Sequence, residues 1–165
     1  MAVLQKFVRK VKSLLGGSAG GVIQKTPRII PASVHGIRPE LVAWQAIRTC
    51  EALQRRGFKA YVVGGAVRDM LLGVKPKDFD VATDATPEEV KACQKRAIII
   101  GRRFRLVHVI FGREVIECAT FRSLDTEGVR KDAAGRVISD NIFGEMWEDA
   151  ARRDFTINAL YYDPS

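Results

Sequence analysis

Asp78 and Asp80 are two carboxylates separated by one residue, at the start of a run that predicts a β-strand over residues 79–83. Side chains alternate along a strand, so both carboxylates should point to the same face, with Cα atoms roughly 6.5–7 Å apart. Like charges this close repel unless a cation lies between them, and Mg²⁺ or Mn²⁺ prefers such oxygen ligands together with substrate phosphates. On its own, an Asp-x-Asp pair also occurs on exposed strands as a solubilising feature.

A glycine pair upstream strengthens the catalytic interpretation. Gly64 and Gly65 lie at a predicted strand-to-helix junction. Glycine allows the backbone to approach a ligand closely, and the N–H groups at the start of a helix can bind phosphate. Arg68, one turn into the helix, could grip the same anion; an ion pair with Asp69 is the alternative. With the two aspartates, this pattern predicts a metal-dependent phosphoryl- or nucleotidyl-transfer site.

A site with two metal ions generally needs a third carboxylate on a neighbouring element. Glu117 is one candidate, because it lies in a predicted strand among apolar residues, where an unpaired charge is costly. The alternative for Glu117 is an ion pair with an arginine of residues 102–105. Asp154 is the other candidate, and the adjacent Arg152 and Arg153 would either form a surface ion-pair cluster with it or contact a nucleotide. Spacing alone leaves these alternatives open.

Three arginines surround one aromatic side chain just before a predicted strand. Arg102, Arg103 and Arg105 flank Phe104, a pattern that suits contact with an RNA backbone together with base stacking. A solvated turn is the alternative. His108 follows in an apolar strand, where we expect a core histidine whose hydrogen bonds are satisfied.

Helices and strands that must position these residues alternate along the chain. Helices are predicted at residues 39–56, 66–72, 86–94 and 147–152, and strands at 59–63, 79–83, 97–100, 105–111 and 115–121. Thr86 and Glu89 form a capping box at the start of the third helix, and Gly112-Arg113 forms a tight turn between the last two strands. Residues 123–139 predict a long loop, and residues 155–161 a partly helical segment.

The overall composition limits the classes of function. The 165 residues suffice for one domain with a real core, and 27 Lys and Arg against 19 Asp and Glu give a net charge of +8. This balance favours an anionic partner, with nucleic acid the leading candidate and a merely solubilising basic surface the alternative. Three scattered cysteines and two histidines argue against zinc and a disulfide framework. The cysteine usage favours a reducing cytoplasmic location, and no apolar run approaches the roughly 18 residues that span a bilayer.

The N-terminal region differs from the rest of the chain. Residues 1–15 carry apolar side chains at helical spacing with basic residues between them, and no acid precedes Glu40. Such a helix could lie on a membrane surface or on RNA phosphates; a solvated tail or an organelle transit peptide is the alternative. A glycine-rich linker follows at residues 16–21. We therefore expect a basic flexible segment over residues 1–30 and a folded domain over residues 31–165.

Two stretches resemble the motifs of a known family. Residues 61–73 (YVVGGAVRDMLLG) with 76–83 (PKDFDVAT) are similar to the first motif of the class II tRNA nucleotidyltransferase and bacterial poly(A) polymerase family. Residues 152–160 (RRDFTINAL) are similar to its second motif, so the resemblance covers most of residues 57–162. Residues 99–109 (IIGRRFRLVHV) resemble the segment typical of the poly(A) polymerases within this family.

The resemblance implies an α+β fold, a polymerase-β-like nucleotidyltransferase head with a mixed sheet of about five strands flanked by helices. It implies that an RNA 3′-hydroxyl attacks the α-phosphate of ATP with Mg²⁺ or Mn²⁺ bound by Asp78 and Asp80. Asp154 would complete the catalytic set, with Glu117 the rival third metal ligand. The implied nucleotide contacts are Gly64, Gly65, Arg68 and Arg153, and the expected RNA contacts are Arg102, Arg103 and Arg105.

Members of this family continue past the second motif into neck, body and tail domains that select the base and grip the RNA. We therefore expect residues 31–165 to be the head alone, with weak or no activity in isolation. The main hypothesis is the catalytic head of an RNA 3′-end adenylyltransferase. The alternatives are a CCA-adding tRNA nucleotidyltransferase and a truncated, non-catalytic RNA-binding remnant.

Overall fold

The computed structural model of the protein describes residues 25–101, 104–124, 130–131, 137–139 and 143–165. The predicted amphipathic helix at residues 1–15 and the linker at residues 16–21 lie outside the described residues. The boundary predicted near residue 31 therefore stays a prediction. In the part of the chain that the structure describes, no helix combines the length and the apolar character needed to cross a membrane.

Short helices alternate with strands along the described chain. The helices are α1 Ala32–His35, α2 Trp44–Gln54, α3 Gly65–Leu71, α4 Pro87–Cys93 and α5 Met146–Ala151, with 3-10 turns at Pro39–Leu41 and Thr156–Asn158. The strands are β1 Ala60–Val63, β2 Asp80–Thr83, β3 Ala97–Ile100, β4 Leu106–Phe111, β5 Glu114–Thr120, β6 Arg130–Lys131, β7 Val137–Ser139 and β8 Tyr161–Tyr162.

Six of these strands form one mixed sheet, in the order β3-β4-β5-β2-β1-β8. Strands β2 and β5 run parallel, whereas the other neighbouring pairs are antiparallel. All five strands that the sequence predicts are present, and β8 adds a sixth by pairing Val62 with Tyr162. The predicted mixed sheet flanked by helices is therefore confirmed.

One face of this sheet is covered by α2 and α4 and holds the main core. Alternate residues of the central strands point into it, where each fully buried aliphatic side chain contributes about 1.5–3 kcal/mol relative to exposure. The core members from the strands include Val62, Val81, Val107, Val109, Ile116 and Cys118, and those from the helices include Ala46, Cys50, Leu53 and Val90.

The other face of the sheet is open over part of its area. In β5, Ile116 and Cys118 are buried, whereas Val115 and Glu117 are exposed. A smaller apolar cluster closes one end of the open face, formed by Val63, Ala82 and Phe121 with Tyr61, Met146 and Tyr161 packed against them. The polar residues described below lie beside this cluster.

Three predicted elements differ from the structure. In residues 39–56, α2 begins only at Trp44, because Ala43 is extended with φ −63° and ψ 130°. In residues 155–161, a three-residue 3-10 turn at Thr156–Asn158 gives way to β8. Within the predicted loop at residues 123–139, the backbones of β6 and β7 pair antiparallel.

Candidate active site

Asp78 and Asp80 flank a residue that is anchored in the core. Phe79 is only 7% exposed and packs into the main core. Asp78 and Asp80 on either side of it are exposed. Because side chains alternate in extended backbone, burying Phe79 turns both carboxylates outward to the open face.

Strand pairing places a third carboxylate next to Asp80. Asp80 pairs with Glu117 across the parallel β2–β5 ladder, and with Val63 across the antiparallel β1–β2 ladder. Side chains at paired positions share a face of the sheet, and neighbouring strands lie about 4.7–4.9 Å apart. The structure therefore places Glu117 beside Asp80, although residue spacing left its role open.

The electrostatics of Asp80 reflect this crowding. Loss of solvation beside the sheet raises the pKa of the Asp80 carboxyl, and the negative charge of Glu117 raises it further. Arg153 opposes this rise, and Asp78 adds to it. A carboxyl whose ionised form is opposed by loss of solvation and by neighbouring anions is one whose charge a bound cation would stabilise.

The donor set fits a hard divalent cation in chemistry, since Asp78, Asp80 and Glu117 supply only oxygen ligands. Among the described residues, however, no three His, Cys, Asp or Glu side chains are close enough to form a ready metal cage. Side-chain rotations would have to bring the carboxylates together. This agrees with sites where substrate phosphates complete the coordination of Mg²⁺.

Gly64 forms the wall of the site next to Asp80. It has φ +74° and ψ −140° and directly precedes α3. A Cβ atom at this position would lie 3.7 Å from Nη1 of Arg153 and 4.0 Å from Oδ2 of Asp80. Glycine is favoured here because positive φ strains other residues. The same turn places the backbone of Gly64 between the guanidinium of Arg153 and the carboxylate of Asp80.

Arg153 is held in place by a carboxylate that is largely, though not fully, buried. Its Nη2 donates to Oδ2 of Asp149 at 3.1 Å, and its Nε donates to the hydroxyl of Tyr161 at 3.4 Å. The Tyr161 hydroxyl also donates to Oδ2 of Asp149 at 2.5 Å, and the guanidinium lies 5.4 Å from the Tyr161 ring centre. Burial, then the hydrogen bond to Asp149, raises the pKa of Tyr161. The predicted nucleotide contact Arg153 is thus fixed next to Asp80.

Arg68 adopts the alternative that the sequence left open. Its Nε and Nη2 both lie 2.8 Å from Oδ1 of Asp69, which makes an ion pair. Its Nη1 donates to Oδ1 of Asn158 at 3.2 Å. A Cβ atom at Gly65 would lie 3.3 Å from Nη2 of Arg68, so this guanidinium also lies beside the glycine turn.

Asp154 is not brought into the carboxylate group. It is exposed, and its Oδ1 accepts a hydrogen bond from the backbone N–H of Phe155 at 2.8 Å. The charged neighbours that shift the pKa of Asp80 are Glu117, Arg153 and Asp78, and Asp154 is not among them. Its assigned catalytic role therefore stays a prediction without geometric support.

The predicted RNA-binding arginines are only partly described. Arg102 and Arg103 lie outside the described residues. Arg105 forms an ion pair with Glu88 on α4. Phe104 lies under the guanidinium of Arg122, 4.7 Å from its Cζ to the ring centre. The stacking of Phe104 on an arginine is thus internal to the protein in this structure.

His108 contradicts the prediction of a satisfied core histidine. Its Nε2 is buried and has no hydrogen-bond partner among the described residues. The nearest carboxylate oxygen is Oε1 of Glu117, at 3.6 Å from Nε2. This is beyond the usual 2.7–3.2 Å of a protein N–H···O bond.

Sequence reasoning missed three residues that organise the site. Asp149 and Tyr161 hold Arg153, and Asn158 contacts Arg68. Asp149 lies in the helix predicted at residues 147–152, and its only sequence signal is its position four residues before Arg153, the spacing of a helical ion pair.

Comparison with known proteins gives a consistent family. The model of the family described as "Poly A polymerase head domain" matches residues 60–165. The Poly(A) polymerase I of Haemophilus influenzae is 49% identical over 142 residues, which are 82% of this chain and 31% of that protein. A CCA-adding enzyme of Staphylococcus aureus is 37% identical over 120 residues, 72% of this chain and 29% of that enzyme.

A solved structure has the same fold. The CCA-adding enzyme of Bacillus stearothermophilus in complex with CTP is 35% identical, with a TM-score of 0.57 over 73% of this chain and 27% of that chain. The chain therefore spans about a third of the length of the relatives that it matches.

Proposed function

The chain belongs to the poly(A) polymerase head-domain family, and we propose that it forms the catalytic head of an enzyme that adds AMP from ATP to RNA 3′ ends without a template. The observation that carries this proposal is the adjacency of Asp80 and Glu117 on the open sheet face, beside Gly64 and Arg153 and two residues after Asp78. Because the chain spans only part of its relatives, the activity belongs to a protein that includes this head.

We assign metal binding to Asp78 and Asp80, with Glu117 as the third ligand in place of Asp154. The adjacency of Glu117 to Asp80 supports this choice. When bound, Mg²⁺ in such a site lowers the pKa of an attacking hydroxyl and neutralises charge on the phosphates. The chain contributes the carboxylate of Asp80 together with the neighbouring charges of Glu117 and Asp78, and a bound cation would relieve the repulsion among them.

The nucleotide would be held by the turn at Gly64 and Gly65 and by the guanidinium groups of Arg68 and Arg153. Gly64 leaves space between Asp80 and Arg153 for a close approach of phosphate. Arg153 is oriented by Asp149 and Tyr161, so its remaining N–H groups can meet an anion at little entropic cost. The RNA 3′-hydroxyl would then attack the α-phosphorus of ATP, and the bond to pyrophosphate would break.

AMP addition is favoured over CCA addition by similarity. The matched poly(A) polymerase is 49% identical, against 37% for the matched CCA-adding enzyme. A tRNA lacking its terminal CCA, incubated with ATP and CTP and the whole protein that contains this chain, separates the two. Restoration of CCA would replace the adenylation proposal by the CCA-adding alternative.

The same protein tests catalysis against a non-catalytic RNA-binding role. We expect AMP incorporation into an RNA 3′ end that requires Mg²⁺ or Mn²⁺ and is abolished in Asp78→Ala and in Asp80→Ala. RNA binding by these variants should persist. Incorporation that is absent from the unmodified protein, while RNA binding is retained, would support the non-catalytic remnant instead.

A further inference from the structure

The unpaired nitrogen of His108 is the strongest unexplained feature of the open sheet face. Its Nε2 is buried without a hydrogen-bond partner among the described residues, although 27% of the side chain is exposed. Buried polar groups without partners are rare in folded proteins and destabilise the state that contains them. A partner that moves into reach would remove this penalty.

Strand register identifies the partner. His108 pairs with Glu117 across β4 and β5, and Glu117 pairs with Asp80 across β5 and β2. The three side chains thus form a row on one face, with Glu117 in the middle. On its other side, His108 pairs with Ile98, which has no polar side-chain atom.

Glu117 is able to close the gap. Its side chain is 54% exposed, and its Oε1 lies 3.6 Å from Nε2 of His108. A shift of about half an ångström would bring the two atoms within the 2.7–3.2 Å of an N–H···O hydrogen bond. With one oxygen engaged in this bond, Glu117 keeps a second oxygen that can turn toward Asp80, its neighbour on β2.

We propose that His108 is a positioning residue that donates a hydrogen bond from Nε2 to Glu117 and thereby orients Glu117 toward the Asp80 side of the site. The consequence for catalysis rests on the proposed function, in which Glu117 is the third ligand of the cation. The hydrogen bond itself does not rest on that function. Second partners of metal-ligating carboxylates commonly contribute in this way.

The first experiment measures the hydrogen bond alone, by ¹⁵N–¹H correlation of the imidazole rings in the 165-residue chain. We expect the His108 proton on Nε2, and a changed Nε2 signal or tautomer in Glu117→Leu. His35 is an internal control, because its Nδ1 accepts from the backbone N–H of Ile37 at 2.9 Å and it should not respond. An unchanged His108 signal in Glu117→Leu overturns the proposal, whether or not the chain is active.

The second experiment measures AMP incorporation by the whole protein. We expect His108→Leu to lower kcat by about 10–100-fold, the usual range for such partners. His108→Gln, which retains an N–H at a similar reach, should recover most of the activity. Ile98→Ala, on the other side of the row, is the matched control and should leave activity unchanged.

A double-mutant cycle connects the effect to Glu117. In a Glu117→Ala background, His108→Leu should cost little further activity, since its target is gone. A full additional loss there, or no recovery in His108→Gln, overturns the positioning role. If all variants, including the unmodified protein, lack incorporation, the proposed function fails, and the NMR result still decides the hydrogen bond.

Discussion

At the scale of single residues, Asp80 combines a catalytic assignment with an electrostatic penalty. Its pKa is raised by loss of solvation and by Glu117 and Asp78. A raised pKa in the folded state means that ionised Asp80 opposes folding. We therefore expect Asp80→Asn to abolish AMP incorporation and to stabilise the fold at neutral pH. Solvent screens this partly exposed group, so the gain should be no more than about 1 kcal/mol, or about 2–4 °C in Tm.

The sign of the pH dependence makes this prediction specific. The stability linked to protonated Asp80 is fully present below the ordinary Asp pKa and disappears as pH rises through the raised pKa of Asp80. The Tm difference between Asp80→Asn and the unmodified chain should therefore be smallest in acid and grow toward neutral pH. Thermal unfolding followed by circular dichroism over this range measures it. A Tm difference between the two proteins that becomes smaller as pH rises would contradict the raised pKa of Asp80.

Asp149 is the second residue whose role can be tested alone. Its side chain is 13% exposed and accepts from Arg153 and Tyr161. Asp149→Asn removes the charge that pairs with a half-buried guanidinium, so we expect a loss of about 1–3 kcal/mol in the free energy of unfolding. Misplacement of Arg153 should also lower AMP incorporation by about 10–100-fold.

Asp154→Asn is the matched control for Asp149→Asn. Asp154 is exposed and contacts the adjacent backbone N–H of Phe155, so the free energy of unfolding should change by less than about 0.5 kcal/mol. Chemical denaturation compares the two variants directly. Equal destabilisation would show that Asp149 has no special role in packing. If Asp154→Asn loses AMP incorporation while its stability is unchanged, Asp154 belongs to the catalytic set after all.

At the scale of elements, the end of β3 depends on the glycine that follows it. Gly101 has φ +82°, and a Cβ atom there would lie 2.0 Å from the carbonyl oxygen of Phe104. Gly101→Ala therefore combines a left-handed backbone penalty of about 1–2 kcal/mol with a clash against backbone. We expect the unfolding free energy to fall by more than about 2 kcal/mol, measured by urea denaturation.

Gly112→Ala isolates the backbone part of this effect. Gly112 has φ +64° in the β4–β5 hairpin, but a Cβ atom there would meet nothing within 4 Å. The loss should therefore be only about 1 kcal/mol. An equal loss of stability in the two alanine variants would show that the backbone near Gly101 shifts to accommodate the added methyl group, so that the clash with Phe104 costs nothing.

Elements defined by local chemistry could be predicted from the sequence, whereas those defined by distant contacts could not. The capping box of Thr86 and Glu89 is present as predicted, because its two hydrogen bonds lie within four residues. By contrast, β8 exists because Tyr161 and Tyr162 pair with β1, about a hundred residues earlier. Nothing in its two-residue sequence distinguishes it from the end of a helical turn.

At the scale of the whole molecule, the same distinction explains what could be inferred about the site. The two aspartates and glycines lie within 17 residues of one another, so spacing alone brings them together. The choice of Glu117 over Asp154 depended on the parallel register of β2 and β5. The anchoring of Arg153 depended on the chain folding back after Asn158 to place Tyr161 beside Asp149. Periodicity carries no signal for either arrangement.

The net charge of +8 leads to a prediction for the molecule as a whole. Single-stranded RNA should bind the chain with an affinity that falls steeply with salt, because each bound phosphate releases counterions. Lys75 and Lys77 lie exposed in the segment that leads to Asp78, which is where RNA near the site would pass.

Replacing both of these lysines tests this location of the RNA. In Lys75→Gln/Lys77→Gln, the slope of log affinity against log salt should become shallower by about 0.7 for each phosphate that the protein no longer neutralises. Lys91→Gln is the control, because Lys91 is exposed on α4, which covers the opposite face of the sheet. Fluorescence anisotropy with a labelled oligonucleotide measures all three proteins. A slope that changes equally in both variants would mean that RNA binds through diffuse positive charge, and that the open face does not direct it.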